Sequence, residues 1–304
     1  MAYHIPALLD ESIEGLNIRP DGIYVDATFG GGGHSMEILK HLKKGRLIAF
    51  DQDEDAMANL PSDSRLTFLS QNFRFLKNNL LFNGVKSIDG IIADLGVSFH
   101  QFDEPARGFT FRHDAPLDMR MNKSNPFTAA GLIAAMDEGL LADIFYNYGE
   151  LSNSRRIAKE IVSARAVKPL TTAGDLISAI SRLAPPRQEN KFYAKLFQSL
   201  RIAVNHEIDF LKEMLLQTLG IISPGGRLVI ITYHSLEDRV VKNFMRTGNF
   251  EGIEKKDFYG NAETPFRVIT KKGITPGDDE VARNNRSRSA RLRVAEKILG
   301  NGRE

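Results

Sequence analysis

The sequence predicts an α/β fold: a doubly wound sheet flanked by helices and interrupted by an all-helical insertion. Short apolar segments alternate with helical segments over the first third of the chain, as in parallel strands joined by crossover helices. Strand-like patterning then disappears between about residues 111 and 200. We therefore expect a discontinuous sheet domain at 1–110 and 201–304, and an all-helical insertion at 111–200.

The elements follow in chain order. The early strands are predicted at 23–27, 47–50, 66–70 and 88–95, with helical segments at 35–42 and 56–60. The insertion is predicted to contain helices at 129–146, 154–164 and 173–183. A long helical pattern at 192–219 leads back to the sheet, which resumes with a strand at 226–233.

A run of four glycines, Gly30 to Gly33, lies between the first strand and the first crossover helix. Glycine tolerates positive φ and lets a ligand approach the backbone closely, so this turn is a candidate nucleotide-type cofactor site. The G-x-G-x-x-G spacing is only partly met, since Ser35 occupies the third position, and a pyrophosphate ligand is therefore not required. The alternative is a flexible surface loop.

Asp51 follows the second strand, where a carboxylate can accept hydrogen bonds from both hydroxyls of a ribose. Nicotinamide dinucleotides and S-adenosylmethionine both carry such a ribose. Asp51 can also be a cap for the helix that follows.

Asp94 ends the fourth strand and precedes a turn at Gly96. Ligands of open α/β sheets bind outside the carboxyl ends of the strands, so this carboxylate is expected near the reactive end of a cofactor. Three roles remain open for Asp94. It can accept a hydrogen bond from the N–H groups of a substrate amine, bind the ammonium group of the cofactor, or cap the following loop.

Composition limits the remaining classes. No apolar run approaches the roughly 18 residues needed to cross a bilayer, and the absence of cysteine excludes disulfides and thiolate chemistry. The amino terminus lacks a signal-peptide pattern, so a cytoplasmic location is expected. The net charge of +2 hides a basic stretch at 283–297, which favours an anionic partner or acidic neighbours.

His234 is followed by Glu237 and Asp238, which raises the possibilities of catalysis and metal binding. No other histidine stands at ligand spacing, and no metal is expected. Ser235 and Asp238 have the spacing of a box that begins a helix.

Several motifs together resemble the MraW family of ribosomal RNA methyltransferases. They are YHIPALL at 3–9, VDATFGGGGHS at 25–35, DLGVS at 94–98, RGF at 107–109, PLDMRM at 116–121, PGGRL at 224–228, HSLEDR at 234–239, RSRSA at 286–290 and LR at 292–293. The resemblance covers nearly the whole chain. It implies a Rossmann-like S-adenosylmethionine-dependent methyltransferase sheet with a helical insertion at 111–200 as substrate-recognition domain. It also implies methylation of N4 of a cytidine in the decoding region (P site) of 16S rRNA.

The resemblance also implies which residues hold the cofactor. They are Gly32, Gly33, His34, Asp51, Phe73, Asp94 and Gln101. Phe73 suits stacking on adenine, with a core position as the alternative, and Gln101 is alternatively a solvated loop residue. The backbone N–H of His34, rather than its side chain, is the expected contact.

The RNA contacts are expected from basic and aromatic residues. The candidates are Arg107, Phe109, Arg120, His234, Arg286 and Arg288. Phe109, with the nearby Phe111, is alternatively buried beneath the insertion. The implied partner is 16S rRNA within a 30S subunit or late assembly particle, and a homodimer is one candidate assembly.

Two positions depart from the family pattern: Asn122 stands where aspartate is usual, and Asn285 stands where proline is usual. Three rival functions remain open: a DNA amino-methyltransferase, a nucleotide-dependent oxidoreductase and a noncatalytic RNA-binding or ribosome-assembly factor. Against the first, Leu95-Gly96-Val97 follows Asp94 instead of a Pro-Pro-aromatic turn.

Overall fold

The computed structural model describes residues 6–256, 258, 260 and 263–299, so the start of the first motif, Tyr3 to Ile5, lies outside them. The chain divides into two units. One, here called the sheet unit, comprises Met1–Gly96 and Ile208–Glu304; the other, the helical unit, comprises Val97–Glu207. The helical unit takes in the expected range 111–200 and extends beyond it at both ends.

A seven-stranded sheet forms the centre of the sheet unit. Its strands are β1 (Ile23–Asp26), β2 (Arg46–Phe50), β3 (Leu66–Leu69), β4 (Ile88–Asp94), β5 (Ile222–Thr232), β6 (Phe266–Val268) and β7 (Arg291–Lys297), in the spatial order β3-β2-β1-β4-β5-β7-β6. The first five run parallel, β7 is antiparallel to β5, and β6 is antiparallel to β7. The predicted fold class is confirmed, although the sheet is mixed rather than wholly parallel.

Adjacent residues on the central strands face opposite sides of the sheet. Val25 and Ile48 are paired in register and belong to one buried cluster, whereas Tyr24 and Leu47 are paired and belong to another. Side chains alternate between faces along a strand, so strands covered by helices on both faces are apolar at nearly every position. This accounts for the short, unbroken apolar runs of the sequence.

Twelve α-helices are described. They are α1 (Leu9–Leu16), α2 (Gly33–His41), α3 (Leu76–Phe82), α4 (Phe99–Asp103), α5 (Ala129–Ala135), α6 (Glu138–Asn147), α7 (Ser154–Val167), α8 (Ala173–Ile180), α9 (Glu189–Asn205), α10 (Glu207–Ile221), α11 (Ser235–Thr247) and α12 (Asp278–Arg283). Helices α4 to α9 build the helical unit around its own apolar core. Within the described residues, no helix combines the length and apolar character needed to cross a membrane.

Two predicted helices are each divided in the structure. The segment 129–146 breaks between α5 and α6, because the side chain of Asp137 accepts the backbone N–H of Leu140 and begins a new helix. The segment 192–219 breaks at His206, whose φ of 50° lies in the left-handed region. The predicted helical segment 56–60 is also corrected, because the structure has a 3₁₀ helix at Glu54–Asn59, which ends before Leu60.

The carboxyl half of the basic stretch 283–297 forms strand β7, which the sequence pattern did not predict. Arg293 is only 4% exposed, and its guanidinium donates to both carboxylate oxygens of Asp238 at 2.6 and 2.9 Å. The alternative of acidic neighbours is therefore confirmed for Arg293, which is paired with Asp238. A buried arginine in a two-bond ion pair holds the strand against α11.

Candidate functional site

The glycine turn follows β1 and is shaped by Asp26, which is 2% exposed. One carboxylate oxygen of Asp26 accepts the backbone N–H of Thr28 at 3.0 Å, and the other accepts the hydroxyl of Ser35 at 2.7 Å. Burial raises the pKa of Asp26 to about 6, and these two hydrogen bonds lower it in part. Ser35, where a third glycine is usual, therefore ties the helix start to the strand.

The glycines of this turn differ in backbone conformation and in the space around them. Gly30 and Gly32 adopt φ values of 52° and 77°, which side chains rarely tolerate. A Cβ built on Gly32 would lie 2.9 Å from the Phe29 ring, whereas one on Gly31 would meet no heavy atom within 4 Å. The backbone at Gly32 therefore has no room for a side chain, whereas the backbone at Gly31 faces open space.

Helix α2 begins at this open backbone, with Gly32 as the residue before its first turn. No side chain among the described residues caps this helix start. The N–H groups of the first turn of a helix carry partial positive charge and lack partners within the helix. The predicted residues Gly33 and His34 therefore stand where an anionic ligand group is favoured.

Asp51 joins the end of β2 to the glycine turn. Its Oδ2 accepts the backbone N–H of Gly30 at 2.7 Å, and its Oδ1 accepts that of Asp53 at 2.8 Å. Burial raises the pKa of Asp51 to about 6, which the two hydrogen bonds partly oppose. The cap of the following 3₁₀ helix is Asp53, so the capping alternative does not apply to Asp51. A carboxylate with two bonds retains lone pairs for further donors.

Asp94 lies at the end of β4, on the strand next to β1. Its backbone N–H donates to the hydroxyl of Thr28 at 2.7 Å, and its Oδ1 accepts the hydroxyl of Tyr233 at 2.9 Å. Burial raises the pKa of Asp94 to about 7, while the Tyr233 hydrogen bond acts in the opposite direction. Among the described residues, the hydrogen-bond donor to the Asp94 carboxylate is Tyr233, not a backbone N–H of the following loop, which gives no support to the loop-capping alternative.

His34 faces this carboxylate, with 3.9 Å between its Nδ1 and the Oδ2 of Asp94. Its side chain is 6% exposed, and burial lowers its pKa to about 4. The ring is therefore neutral near pH 7 and supplies no counter-charge to Asp94. The side chain of Asp94 is 23% exposed, so one part of it remains open to a ligand.

Tyr233 is a residue of this site that sequence reasoning missed. Burial and the neighbouring Asp94 carboxylate raise its pKa well above 10, so its hydroxyl stays a donor. Its backbone N–H donates to Glu237 at 2.9 Å, which fixes the strand end to α11. An aromatic residue directly after β5 was the available signal, because the ends of parallel strands meet at one edge.

His234 has a structural position at the start of α11. Its side chain accepts the backbone N–H of Glu237 at 3.4 Å and therefore caps the helix, which corrects the predicted cap at Ser235. The Nε2 of His234 lies 3.1 Å from Glu237 Oε1, and the His234 side chain is 8% exposed. A contact between His234 and RNA stays a prediction.

Phe73 and Gln101 were predicted to contact the cofactor. Phe73 begins a 3₁₀ helix after β3 and is partly buried against the core of the sheet unit. In the helical unit, Gln101 is 4% exposed, and its side-chain oxygen accepts the N–H of Ser98 at 3.1 Å. The solvated-loop alternative for Gln101 is therefore wrong, and both cofactor contacts stay predictions.

The structure corrects the predicted surface roles of three residues in the helical unit. Arg107 is 6% exposed and donates to the carbonyls of Arg120 and Met121, at 2.9 and 3.1 Å. Phe109 is 7% exposed, which confirms the alternative that this ring is buried. Arg120 holds Asp118 through two hydrogen bonds of 2.8 Å and also donates to two backbone carbonyls. The guanidinium groups of Arg107 and Arg120 are therefore used to organise the loop, and few of their donors remain for RNA.

Arg286 and Arg288 are exposed on a 3₁₀ helix at Asn285–Ser289, between α12 and β7. They are the two predicted RNA contacts that lie on the surface of the sheet unit.

Comparison with known proteins gives consistent results. A model of the MraW methylase family matches residues 1–298. The chain is 57% identical over 296 residues to "Ribosomal RNA small subunit methyltransferase H" of Phocaeicola vulgatus, covering 97% of each chain. It is 56% identical to the protein of the same name from Parabacteroides distasonis, covering 97% of this chain and 98% of the relative. A solved rRNA methylase from Streptococcus thermophilus aligns with 13% identity and a TM-score of 0.44, covering 97% of this chain and 99% of that one.

Proposed function

Because this chain belongs to the MraW methylase family, we propose that it transfers a methyl group from S-adenosylmethionine to N4 of a cytidine in the decoding region of 16S rRNA. The relatives that cover nearly the full chain are named as methyltransferases of small-subunit ribosomal RNA. The observation that carries the chemistry is the partly open Asp94 carboxylate at the carboxyl edge of the sheet. The proposed substrate is the 30S subunit or a late assembly particle.

The sheet unit has groups that fit S-adenosylmethionine. The open backbone at Gly31 and the uncapped first turn of α2 suit the carboxylate of the methionine part. Asp51 retains lone pairs for the ribose hydroxyls, and Phe73 is the candidate for adenine. S-Adenosylmethionine would supply a methyl group whose carbon the nucleophile attacks, and the C–S bond would break to release the neutral thioether S-adenosylhomocysteine.

Asp94 is proposed to assist the attacking amine. The lone pair of an exocyclic amine on cytosine is delocalised into the ring, which makes the nitrogen a weak nucleophile. A carboxylate that accepts a hydrogen bond from its N–H favours the positive charge that develops on nitrogen during attack. The hydroxyl of Tyr233 holds one oxygen of Asp94 and leaves the other available. The remaining alternative is that Asp94 binds the ammonium group of the cofactor.

Methyl transfer to 30S subunits that lack the modification tests this proposal. The subunits are incubated with labelled S-adenosylmethionine, and nuclease digestion with mass spectrometry identifies the methylated nucleoside. We expect N4-methylated cytidine with the wild-type chain and with the control Asp143→Asn, an exposed carboxylate on α6, and strongly reduced product with Asp94→Asn. Binding of the cofactor without transfer to 30S subunits, free 16S rRNA or DNA would contradict the proposed function.

The two roles of Asp94 are distinguished by measuring kcat and the Kd of S-adenosylmethionine for the same variant. If Asp94 acts on the amine, Asp94→Asn lowers kcat and leaves the Kd of S-adenosylmethionine nearly unchanged. If it binds the cofactor ammonium, the Kd rises in parallel with the loss of turnover.

A further inference from the structure

A cavity of about 440 Å³ opens within the helical unit, beside one face of α9. It is bordered by Lys191 and Gln198 of α9 and by Phe109, Phe111 and Arg112 of the segment after α4. Its volume lies in the range of about 300–1,000 Å³ that is typical of small-ligand sites. The cavity contains none of the proposed cofactor residues.

The inner wall of the cavity is aromatic. The ring centroid of Phe111 lies 5.6 Å from that of Phe197 and 6.0 Å from that of Tyr193. Phe197 and Phe109 are buried, while Phe111 is only partly buried. Phe111 therefore has ring surface at the cavity and is supported from behind by other rings, which is the arrangement of a stacking platform.

The rim of the cavity is cationic. Arg112 and Lys191 are exposed, and neither forms an ion pair within the described part of the chain. Arg201 also borders the cavity, but its charge is balanced by Glu207 at 2.8 Å. No aspartate or glutamate is among the described residues that line it. The amide of Gln198 adds a group that can both donate and accept hydrogen bonds.

We propose that this cavity binds one unstacked nucleotide of single-stranded rRNA, with its base against Phe111 and its phosphate near Arg112 and Lys191. The assignment rests on the proposed function, because that function makes rRNA the substrate. Aromatic surface beside unpaired cations is how proteins hold single-stranded nucleic acid. An acidic peptide would use the cations but would leave the ring platform without a partner.

The rim is tested with the double variant Arg112→Ala/Lys191→Ala and a control of equal charge, Arg156→Ala/Lys159→Ala, whose exposed residues lie on α7. The probe is a ten-nucleotide single-stranded RNA containing 2-aminopurine, titrated by fluorescence at several salt concentrations. Because both cations neutralise the one phosphate, their loss should reduce the slope of log K against log salt by about 0.7, which corresponds to roughly fivefold weaker binding at 0.1 M salt. The control should match the wild type.

The platform is tested separately with Phe111→Leu, which retains an apolar side chain. We expect the salt slope to stay at the wild-type value, while the fluorescence change on stacking is lost and the Kd rises about tenfold. Equal affinity of the rim variant and its control would overturn the proposal. Competition by a poly-aspartate peptide as strong as that by RNA would also overturn it.

Methyl transfer to 30S subunits and the Kd of S-adenosylmethionine are measured in parallel for every variant. A wild-type chain that binds the probe through Arg112 and Lys191 but never methylates RNA would contradict the proposed function and leave the cavity assignment supported. An active chain whose rim variant binds RNA and methylates 30S subunits as well as its control would contradict the cavity assignment alone.

Discussion

The aspartates at the carboxyl edge of the sheet and those of the helical unit have opposite electrostatic surroundings. Burial raises the pKa of Asp26 and Asp51 to about 6 and that of Asp94 to about 7, and none of the three forms an ion pair with a lysine or arginine among the described residues. In the helical unit, burial also acts on Asp118, but the Arg120 guanidinium outweighs it and holds the pKa below its usual range. The Lys168 ammonium likewise lowers the pKa of Asp175.

This difference determines how each group affects folding. A carboxyl whose pKa is raised in the folded state makes the free energy of unfolding decrease as pH rises, here between about pH 4 and 7. A carboxyl whose pKa is lowered, such as Asp118, contributes stability above its unfolded pKa and loses it as pH falls below about 4. The helical-unit pairs therefore support the fold, whereas the sheet-edge carboxylates reduce its stability above about pH 4, a pattern that is typical of residues kept for a functional site.

The largest expected effect is on turnover. Asp94→Asn should lower kcat/KM for 30S subunits by about 10²–10⁴, because the neutral amide lacks the negative charge that favours the developing positive charge and cannot take up a proton. Asp118→Asn should stay within a few-fold of the wild type. The assay is initial-rate methyl transfer, and equal losses in the two variants would remove the distinction between the two groups of aspartates.

The next effect is on cofactor affinity. Asp51→Asn keeps an acceptor for the Gly30 N–H but removes the charge that the ribose hydroxyls would contact. A hydrogen bond to a charged group contributes about 1.5–3 kcal/mol, so the Kd of S-adenosylmethionine should rise about 10- to 100-fold. Isothermal titration calorimetry measures this, with Asp143→Asn as the control. An unchanged Kd would show that Asp51 serves the turn alone.

The pH dependence of turnover should follow Asp94. Since the pKa of Asp94 is about 7, kcat/KM should decline about tenfold for each pH unit well below that value as the carboxylate becomes protonated. Tyr233→Phe removes a hydrogen bond that lowers this pKa, so the midpoint should move upward by about 0.5–1 unit. A profile that is flat from pH 5 to 8 would contradict the role of the ionised carboxylate.

The smallest expected effect is on stability in the helical unit. Asp118→Asn breaks the two-bond pair with Arg120 and should lower the free energy of unfolding by about 1 kcal/mol at pH 7. The difference should shrink as pH falls below about 4, where the wild-type carboxyl also loses charge. Urea unfolding of the wild type and the variant at pH 7 and pH 3 measures this difference in the free energy of unfolding. A difference that is larger at pH 3 than at pH 7 would contradict the prediction.

The fold was largely predictable where local signals act alone. Apolar runs and the glycine turn identify the five parallel strands and the first crossover helix, and the position of Asp94 follows from the end of a strand. Strand β7 was not predictable from its charge, because Arg293 is neutralised by Asp238, which lies 55 residues away in sequence. Pairing across such distances leaves no local pattern.

The site shows the same limit. Asp51 and Asp94 were identified as ligand candidates by their places after strands. The contact between Tyr233 and Asp94 spans 139 residues and becomes visible only when β4 and β5 pair. The sequence predicts a surface cation at Arg107. In the structure, its guanidinium donates hydrogen bonds to the backbone carbonyls 13 and 14 residues further along the chain. The helix break at His206 likewise lacks the glycine or proline that would predict it from sequence.

The most direct measurement is the free energy of unfolding of Asp94→Asn at pH 8, with and without saturating S-adenosylmethionine. If the sheet edge holds this carboxylate for a ligand at the expense of the fold, the free variant should be more stable than the wild type by about 1–2 kcal/mol. It should also lose methyl transfer to 30S subunits. A variant that is less stable than the wild type, and that still binds the cofactor and methylates RNA normally, would contradict this account.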